Sequence, residues 1–82
     1  MFVMVGHENY INSELIAVIF KPDSSHVKRL RQSAEEKGML LNASSGHKTR
    51  SVIVLSTGQV VLTSLQPSVV KKRIDESKRF DE

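Results

Sequence analysis

The sequence predicts an α+β fold, with a small antiparallel sheet of about five or six short strands, one central helix and one C-terminal helix. Short apolar runs, many of them β-branched, alternate with segments rich in glycine, proline, asparagine and serine, a pattern typical of strands and turns. Apolar residues at helical spacing follow Pro22 and again Pro67. We predict a single domain over residues 1–82.

The first half of the chain begins with short strands. Residues 2–5 and 10–11 predict two strands joined by a turn at residues 6–9, and a further turn follows at residues 12–13. Residues 15–20 form an apolar run without polar alternation. Such a strand is normally covered on both faces, here either by helices or by a neighbouring subunit.

A helix is predicted over residues 26–37. Pro22 ends the preceding strand, Ser24 or Ser25 can act as the N-cap, and Gly38 suits the position after the last turn. Its apolar stripe consists of Val27, Leu30 and Ala34.

The basic residues of this helix precede its acidic ones, against the preference of the helix dipole. Lys28, Arg29 and Arg31 occupy the first turns, and Glu35 follows. The order fits a patch that serves a partner, or simply a solvated face with an Arg31–Glu35 pair.

The second half predicts a meander whose first turn is basic. Residues 39–41 begin a strand that runs into the segment 42–50, and residues 50–55 return antiparallel. A tight turn at 56–58 leads to a third strand over 59–63.

The segment 42–50 predicts a basic hairpin tip. Ser44 and Ser45 lead into Gly46, and the residues that follow are His47, Lys48, Thr49 and Arg50. A rigid strand behind such a tip can hold cationic and hydroxyl donors toward a phosphate backbone. The alternative is an ordinary surface turn whose composition serves solubility.

Pro67 is predicted at the first position of the C-terminal helix. Its inward-facing residues are Val69, Val70, Ile74 and Phe80. The mixed charges beyond Arg73 fit either a solvated helix or a frayed tail over residues 75–82.

The composition excludes several classes of protein and site. The chain has 82 residues and a net charge of +3. It has no cysteine, so disulfides and thiolate metal sites are excluded. The N-terminal apolar stretch is too short for a signal peptide, so we expect a cytoplasmic protein without membrane contact. Only 39% of residues are apolar, so we expect stabilisation by homo-oligomerisation.

No catalytic or cofactor motif is recognisable. His7, His26 and His47 lack metal-ligand spacing, and neither a phosphate-binding glycine loop nor a nucleophile elbow is present. We therefore expect no enzyme, no metal, no cofactor and no small-molecule substrate.

A series of short motifs extends over most of the chain. It comprises Gly6-x-x-Asn9, Pro22-x-Ser24, Lys28-Arg29-Leu30, Ala34, Gly38-Met39-Leu40-Leu41, Ala43, Gly46, Lys48-Thr49-Arg50, Val52-Ile53-Val54 and Leu65-Gln66-Pro67. With these motifs the sequence resembles the RemA family of small bacterial regulators.

The resemblance implies a nucleoid-associated, DNA-binding transcription regulator of biofilm matrix genes. It also implies an antiparallel sheet with two helices and a closed ring of identical subunits, an octamer, with double-stranded DNA along its basic surface. The paired basic residues that contact DNA in the family fall on His47 and Lys48, with Arg50 close by.

Two departures from the family pattern concern charge. The family usually has arginine in place of His47, and a DNA-binding arginine where this chain has Glu14 or Leu15. Near pH 7 histidine is mostly neutral, so the contact at His47 becomes pH-sensitive.

The leading hypothesis is an oligomeric regulator that recognises DNA by shape and backbone. Lys48 and Arg50 are assigned to phosphates, with His47, Ser44, Ser45 and Thr49 as supporting donors. A second patch consists of Lys28, Arg29 and Arg31. The alternatives are a ring-forming scaffold that has lost DNA binding, favoured by Glu14 and His47, and an RNA-binding domain, disfavoured by the scarcity of aromatic residues.

Overall fold

Six strands and two long helices make up residues 1–78, the part of the chain that the structure, a computed structural model, describes. The elements are β1 (Phe2–Met4), β2 (Tyr10–Asn12), a short 3-10 helix (Ser13–Leu15), β3 (Ile16–Phe20), α1 (Ser25–Glu36), β4 (Leu40–Asn42), β5 (Ser51–Leu55), β6 (Val60–Thr63) and α2 (Pro67–Lys78). The predicted α+β class, with one central and one C-terminal helix, is confirmed.

The strands form two sheets. β1 and β2 pair as an antiparallel hairpin, and the other four strands form a sheet in the order β3-β5-β6-β4. In the larger sheet Ile53 of β5 stands opposite Ile19 of β3 and Val61 of β6. The strand order makes β5 and β6 the central strands and β3 and β4 the edge strands.

Both faces of the larger sheet are covered, because alternate residues of β5 and β6 point to opposite sides. On one face Val52, Val60 and Leu62 pack with residues of α1. On the other face Ile53 and Val61 pack with residues of the β1–β2 hairpin and α2. The larger sheet thus has one small hydrophobic core on each face. Because of these two cores, β5 and β6 are apolar on both faces and buried along almost their whole length.

The position of β4 corrects the prediction for segment 42–50. β4 pairs in parallel with β6, not with β5. The chain between β4 and β5 is therefore no hairpin: it crosses the end of β6, a distance of about 10 Å at the usual strand spacing. The tight Ser56–Gly58 turn pairs β5 with β6. Because β4 pairs with the other side of β6, β6 lies between β5 and β4.

β3 is an edge strand of the larger sheet. Ala17 and Val18 are exposed, with 40% of Val18 accessible. The helices within residues 1–78 leave both residues exposed, so the predicted cover by helices is wrong at these positions. Cover by a neighbouring subunit stays a prediction.

α1 begins as its sequence predicts. The Ser24 hydroxyl accepts a hydrogen bond from the Val27 amide at 3.1 Å. Val27 and Ala34 are buried, Leu30 packs beside them, and Gly38 has a positive φ of 70° after the last turn.

Ser24→Ala should lower the free energy of unfolding by about 1 kcal/mol, because the Val27 amide loses its acceptor. Urea denaturation followed by circular dichroism measures the change. The neighbouring Ser25→Ala is the control, since Ser24 occupies the N-cap position. Equal effects of the two substitutions would contradict the assignment of the cap.

α2 starts at Pro67, as predicted, and its Val70 and Ile74 are buried. Its Arg73 guanidinium donates to the carbonyl of Met4 at 3.0 Å, which ties the helix to β1. Phe80, predicted to face the core, lies outside the described residues.

Candidate nucleic-acid interface

The loop of residues 43–50 is fixed at both ends to the end of β6. The Ala43 amide donates to the Leu62 carbonyl at 2.8 Å, and the Arg50 amide donates to the Thr63 carbonyl at 2.9 Å. Asn9, from the β1–β2 turn, adds a long hydrogen bond of 3.5 Å from its Nδ2 to the Ala43 carbonyl. The loop therefore begins and ends on the most buried part of the fold.

Hydrogen bonds within the loop shape its turn. Asn42 Oδ1 accepts from the amide of Ser44 at 2.9 Å and from its hydroxyl at 2.5 Å, and the Ser44 carbonyl accepts from the His47 amide at 2.9 Å. Ser45 and Gly46 both have positive φ, 51° and 81°, a conformation that glycine adopts without strain. Ser44 is buried and its hydroxyl is already used, so its prediction as a surface donor is wrong.

The remaining predicted donors of the loop lie at or near the surface. Ser45, His47, Lys48 and Arg50 are exposed, and Thr49 is half-buried. Within residues 1–78 neither Lys48 nor Arg50 forms an ion pair. Both cations are thus displayed on a backbone that is hydrogen-bonded to β6, without an ion pair to a described carboxylate.

Lys48 and Arg50 form a ridge between two open depressions. The first, of about 540 Å³, we call the proline depression; it is lined by Lys21, Pro22, Asp23, Lys48, Thr49, Arg50, Gln66, Pro67 and Ser68. The second, of about 490 Å³, we call the histidine depression; it is lined by Met4, Gly6, His7, His47, Lys48, Arg50, Ser64, Leu65 and Arg73. Among the residues that the structure describes, Asp23 is the only acid in the two linings.

The start of α2 adds a partial positive charge to the proline depression. Gln66, Pro67 and Ser68, at the N-terminus of this helix, lie in its wall. Helix N-termini carry amide groups without intrahelical acceptors and favour anions. The wall therefore reinforces the cationic ridge of Lys48 and Arg50.

The histidine depression brings together residues that are distant in the sequence. The rings of His7 and His47 stack with their centroids 4.6 Å apart and their planes 9° from parallel. His7 Nε2 lies 3.3 Å from the Ser64 hydroxyl oxygen. Residues from the β1–β2 turn, the loop, the end of β6 and α2 thus meet at one surface.

His7 and Arg73 are missed when the sequence is considered alone. His7 has no local motif apart from the Gly6-x-x-Asn9 frame, and Arg73 resembles any charged residue of a solvated helix. Only the packing of α2 and the β1–β2 turn beside the loop places them there.

The predicted patch on α1 lies elsewhere. Lys28, Arg29 and Arg31 belong to the helix that covers the opposite face of the larger sheet from α2, and they line neither depression. The structure therefore does not join this patch to the ridge of Lys48 and Arg50.

Glu14 and Leu15, at the position of the family's other arginine, also lie outside both depressions. The Glu14 side chain is exposed, and its Oε1 lies 3.8 Å from the N-terminal amine. Leu15 packs against the core instead.

Residues 1–78 contain neither a metal-ligand cluster nor a membrane-spanning helix. No group of three or more histidine and carboxylate side chains is arranged to hold a metal ion. Neither long helix has the length and apolarity needed to cross a membrane.

Comparison with known proteins identifies the family. Residues 2–74 match the model of the RemA-like family, described as extracellular matrix regulatory protein A-like. This chain belongs to the RemA-like family. The resemblance inferred from its motifs is thereby confirmed, over nearly the whole of the described fold.

Relatives in several bacteria bear the name "Putative regulatory protein". One from Geobacillus thermodenitrificans is 40% identical over 81 residues, which cover 99% of this chain and 93% of that protein. One from Finegoldia magna is 40% identical over 73 residues, 89% of this chain and 88% of that protein. A third, from Bacillus cereus strain AH187, is 37% identical over 81 residues. The family and these names support a regulatory role for this RemA-like chain.

Proposed function

We propose that this RemA-like protein is a DNA-binding transcription regulator that acts as a homo-oligomer and controls biofilm or extracellular-matrix genes. The observation that carries the proposal is the ridge of Lys48 and Arg50 between two depressions, in whose linings residues 1–78 place a single acid. The family's description as an extracellular matrix regulatory protein supports the class of target genes. Action on DNA places the protein at the nucleoid in the cytoplasm.

The ridge suits contacts to phosphates better than to base edges. Lys48 and Arg50 stand on a loop beside the end of β6, and neither is on a helix that could enter the major groove. The N-terminus of α2 lies in the wall of the proline depression and favours anions. We therefore propose recognition of the shape and the backbone of double-stranded DNA, including its capacity to bend.

Several copies of the ridge are needed for useful affinity. A net charge of +3 per chain gives weak binding, whereas repeated contacts to one duplex bind far more tightly. Exposed apolar residues at opposite edges of the larger sheet offer the means of assembly: Val18 on β3 is 40% exposed and Leu41 on β4 is 45% exposed.

A contact between the β3 edge of one copy and the β4 edge of the next is head-to-tail. Contacts of that kind close into a ring when the rotation per subunit permits. Both edges also present unpaired backbone groups that can extend the sheet across the interface. The ring implied by the family therefore has a physical route in this chain.

Light scattering after size-exclusion chromatography tests the assembly. We expect a mass several times that of the 9.2 kDa chain, and a higher mass when duplex DNA is added. Leu41→Lys should reduce the assembly to smaller species, because it places a charge in the proposed interface. Ser56→Lys, which adds the same charge at the exposed β5–β6 turn, is the control.

A monomeric wild-type protein would contradict the assembly. A large assembly that ignores DNA at low salt would instead favour the scaffold function. The exposed Glu14, and a histidine at position 47 instead of a permanently charged arginine, are the features that favour that second candidate.

A further inference from the structure

The stacked pair of His7 and His47 lies inside a cationic surface. The histidine depression also contains Lys48, Arg50 and Arg73, and no carboxylate from residues 1–78 contributes to its lining. Glu8 follows His7 in the turn, but it is exposed and lies outside that lining. The remaining polar neighbour is the Ser64 hydroxyl, 3.3 Å from His7 Nε2.

The charges around the stacked pair favour an anion as its partner. Imidazole side chains change charge between pH 5 and pH 8. A proton taken up by either ring enters a surface that already holds three permanent cations, and a second proton would set two positive rings 4.6 Å apart. An anion bound in the depression offsets both repulsions, so anion binding and proton uptake must favour each other.

Phosphate is the anion that the other groups fit. Guanidinium groups bind phosphate oxygens in a planar, two-pronged geometry, lysine adds a point charge, and protonated imidazole and hydroxyl groups add single donors. Arg73 is already oriented by its 3.0 Å hydrogen bond to the Met4 carbonyl. The depression is open, so a phosphate that belongs to a larger molecule can reach it.

We propose that the histidine depression binds one phosphate group and takes up a proton on the His7–His47 pair as it does so. The affinity of the protein for phosphate ligands then rises as the pH falls from 8 to 6. The inference rests on the proposed function for its main source of phosphate, the DNA backbone. It adds His7 and Arg73 to the binding surface and makes the protein responsive to pH.

DNA titrations at two pH values test the proposal. Fluorescence anisotropy with a labelled duplex, at matched ionic strength, should show wild-type affinity about tenfold higher at pH 6 than at pH 8, as expected for an average uptake of about half a proton over these two pH units. His7→Gln and His47→Gln should each reduce that ratio to about twofold or less. A ratio that is unchanged in both variants would overturn the proposal.

His26 provides the matched control. It lies at the start of α1, with its ring edge-on to Phe20 at 6.1 Å, and is absent from the depression. His26→Gln should therefore retain the full pH ratio. Loss of the ratio in this variant would show that the pH response arises elsewhere.

A measurement without DNA separates this inference from the proposed function. We expect inorganic phosphate, compared with chloride at equal ionic strength, to shift the NMR titration midpoints of the His7 and His47 rings upward and to leave that of His26 unchanged. Equal shifts for all three rings, or none, would overturn the inference. If the protein binds no duplex at either pH while His7 and His47 respond selectively to phosphate, the proposed function fails and the phosphate site stands.

Discussion

Lys48→Ala combined with Arg50→Ala should reduce the affinity for duplex DNA by about 100-fold at low salt, or roughly 3 kcal/mol for the loss of two charged donors. The two side chains form the ridge between both depressions, so their loss removes the centre of the proposed surface. The backbone of the loop should be retained, because its anchors are main-chain hydrogen bonds at Ala43 and Arg50. Anisotropy titrations measure the effect, with circular dichroism to confirm folding.

Lys28→Ala combined with Arg29→Ala is the matched control, since it removes the same charge from exposed positions of α1. These residues lie on the other side of the larger sheet from α2 and outside both depressions. We expect a loss of affinity of less than about threefold from the reduced net charge alone. If the α1 pair weakened binding as much as the loop pair, the loop would not be the principal contact.

Ile53→Ala should lower the free energy of unfolding by about 2–5 kcal/mol, the usual range for an isoleucine truncated to alanine in a core. Ile53 is completely buried between its β-strand neighbours Ile19 and Val61. A domain of this size has a total stability of only a few kcal/mol. The variant should therefore be largely unfolded or greatly sensitive to urea.

Ile53→Val removes one methyl group from the same site and should lower the free energy of unfolding by only about 1 kcal/mol. Denaturation of both variants must be compared at one protein concentration, because assembly stabilises folded chains by mass action. Equal midpoints for wild type and Ile53→Ala would show that the space around Ile53 is not tightly packed.

The parts of the fold that could be predicted from the sequence are those with local signals. Ser24 and Gly38 bound α1, Pro67 starts α2, and Gly58, with a φ of 94°, permits the tight turn between β5 and β6. Each of these residues acts on backbone within a few positions of itself. Helix limits and the β5–β6 pairing follow from them.

Pairings between distant residues had no such signal. β4 pairs in parallel with β6, and this three-residue strand carries no sequence pattern that decides which strand it pairs with. The hydroxyls of Ser51 and Thr63 are buried and donate to the carbonyls of Leu65 and Val5. In a sequence, a serine or threonine is as consistent with an exposed position as with a buried hydroxyl that donates to a carbonyl.

The part of the candidate site that lies on the loop of residues 43–50 could be predicted from the sequence. Lys48 and Arg50 are adjacent to a glycine turn and belong to a family motif, so sequence alone could find them. The His7–His47 stack joins positions from different turns, and it exists because the β1–β2 hairpin packs beside the loop. Only the three-dimensional structure shows that contact.

The dependence of DNA affinity on salt tests the ridge most directly. Each lysine or arginine contact to a phosphate in double-stranded DNA adds about 0.9 to the slope of log K against log salt. We predict a steep linear decrease of log K for the wild type, and a slope shallower by about 2 for every engaged subunit when Lys48 and Arg50 are replaced by alanine. Identical slopes for the two proteins, or a flat slope for the wild type, would contradict the claim that these side chains bind the phosphate backbone.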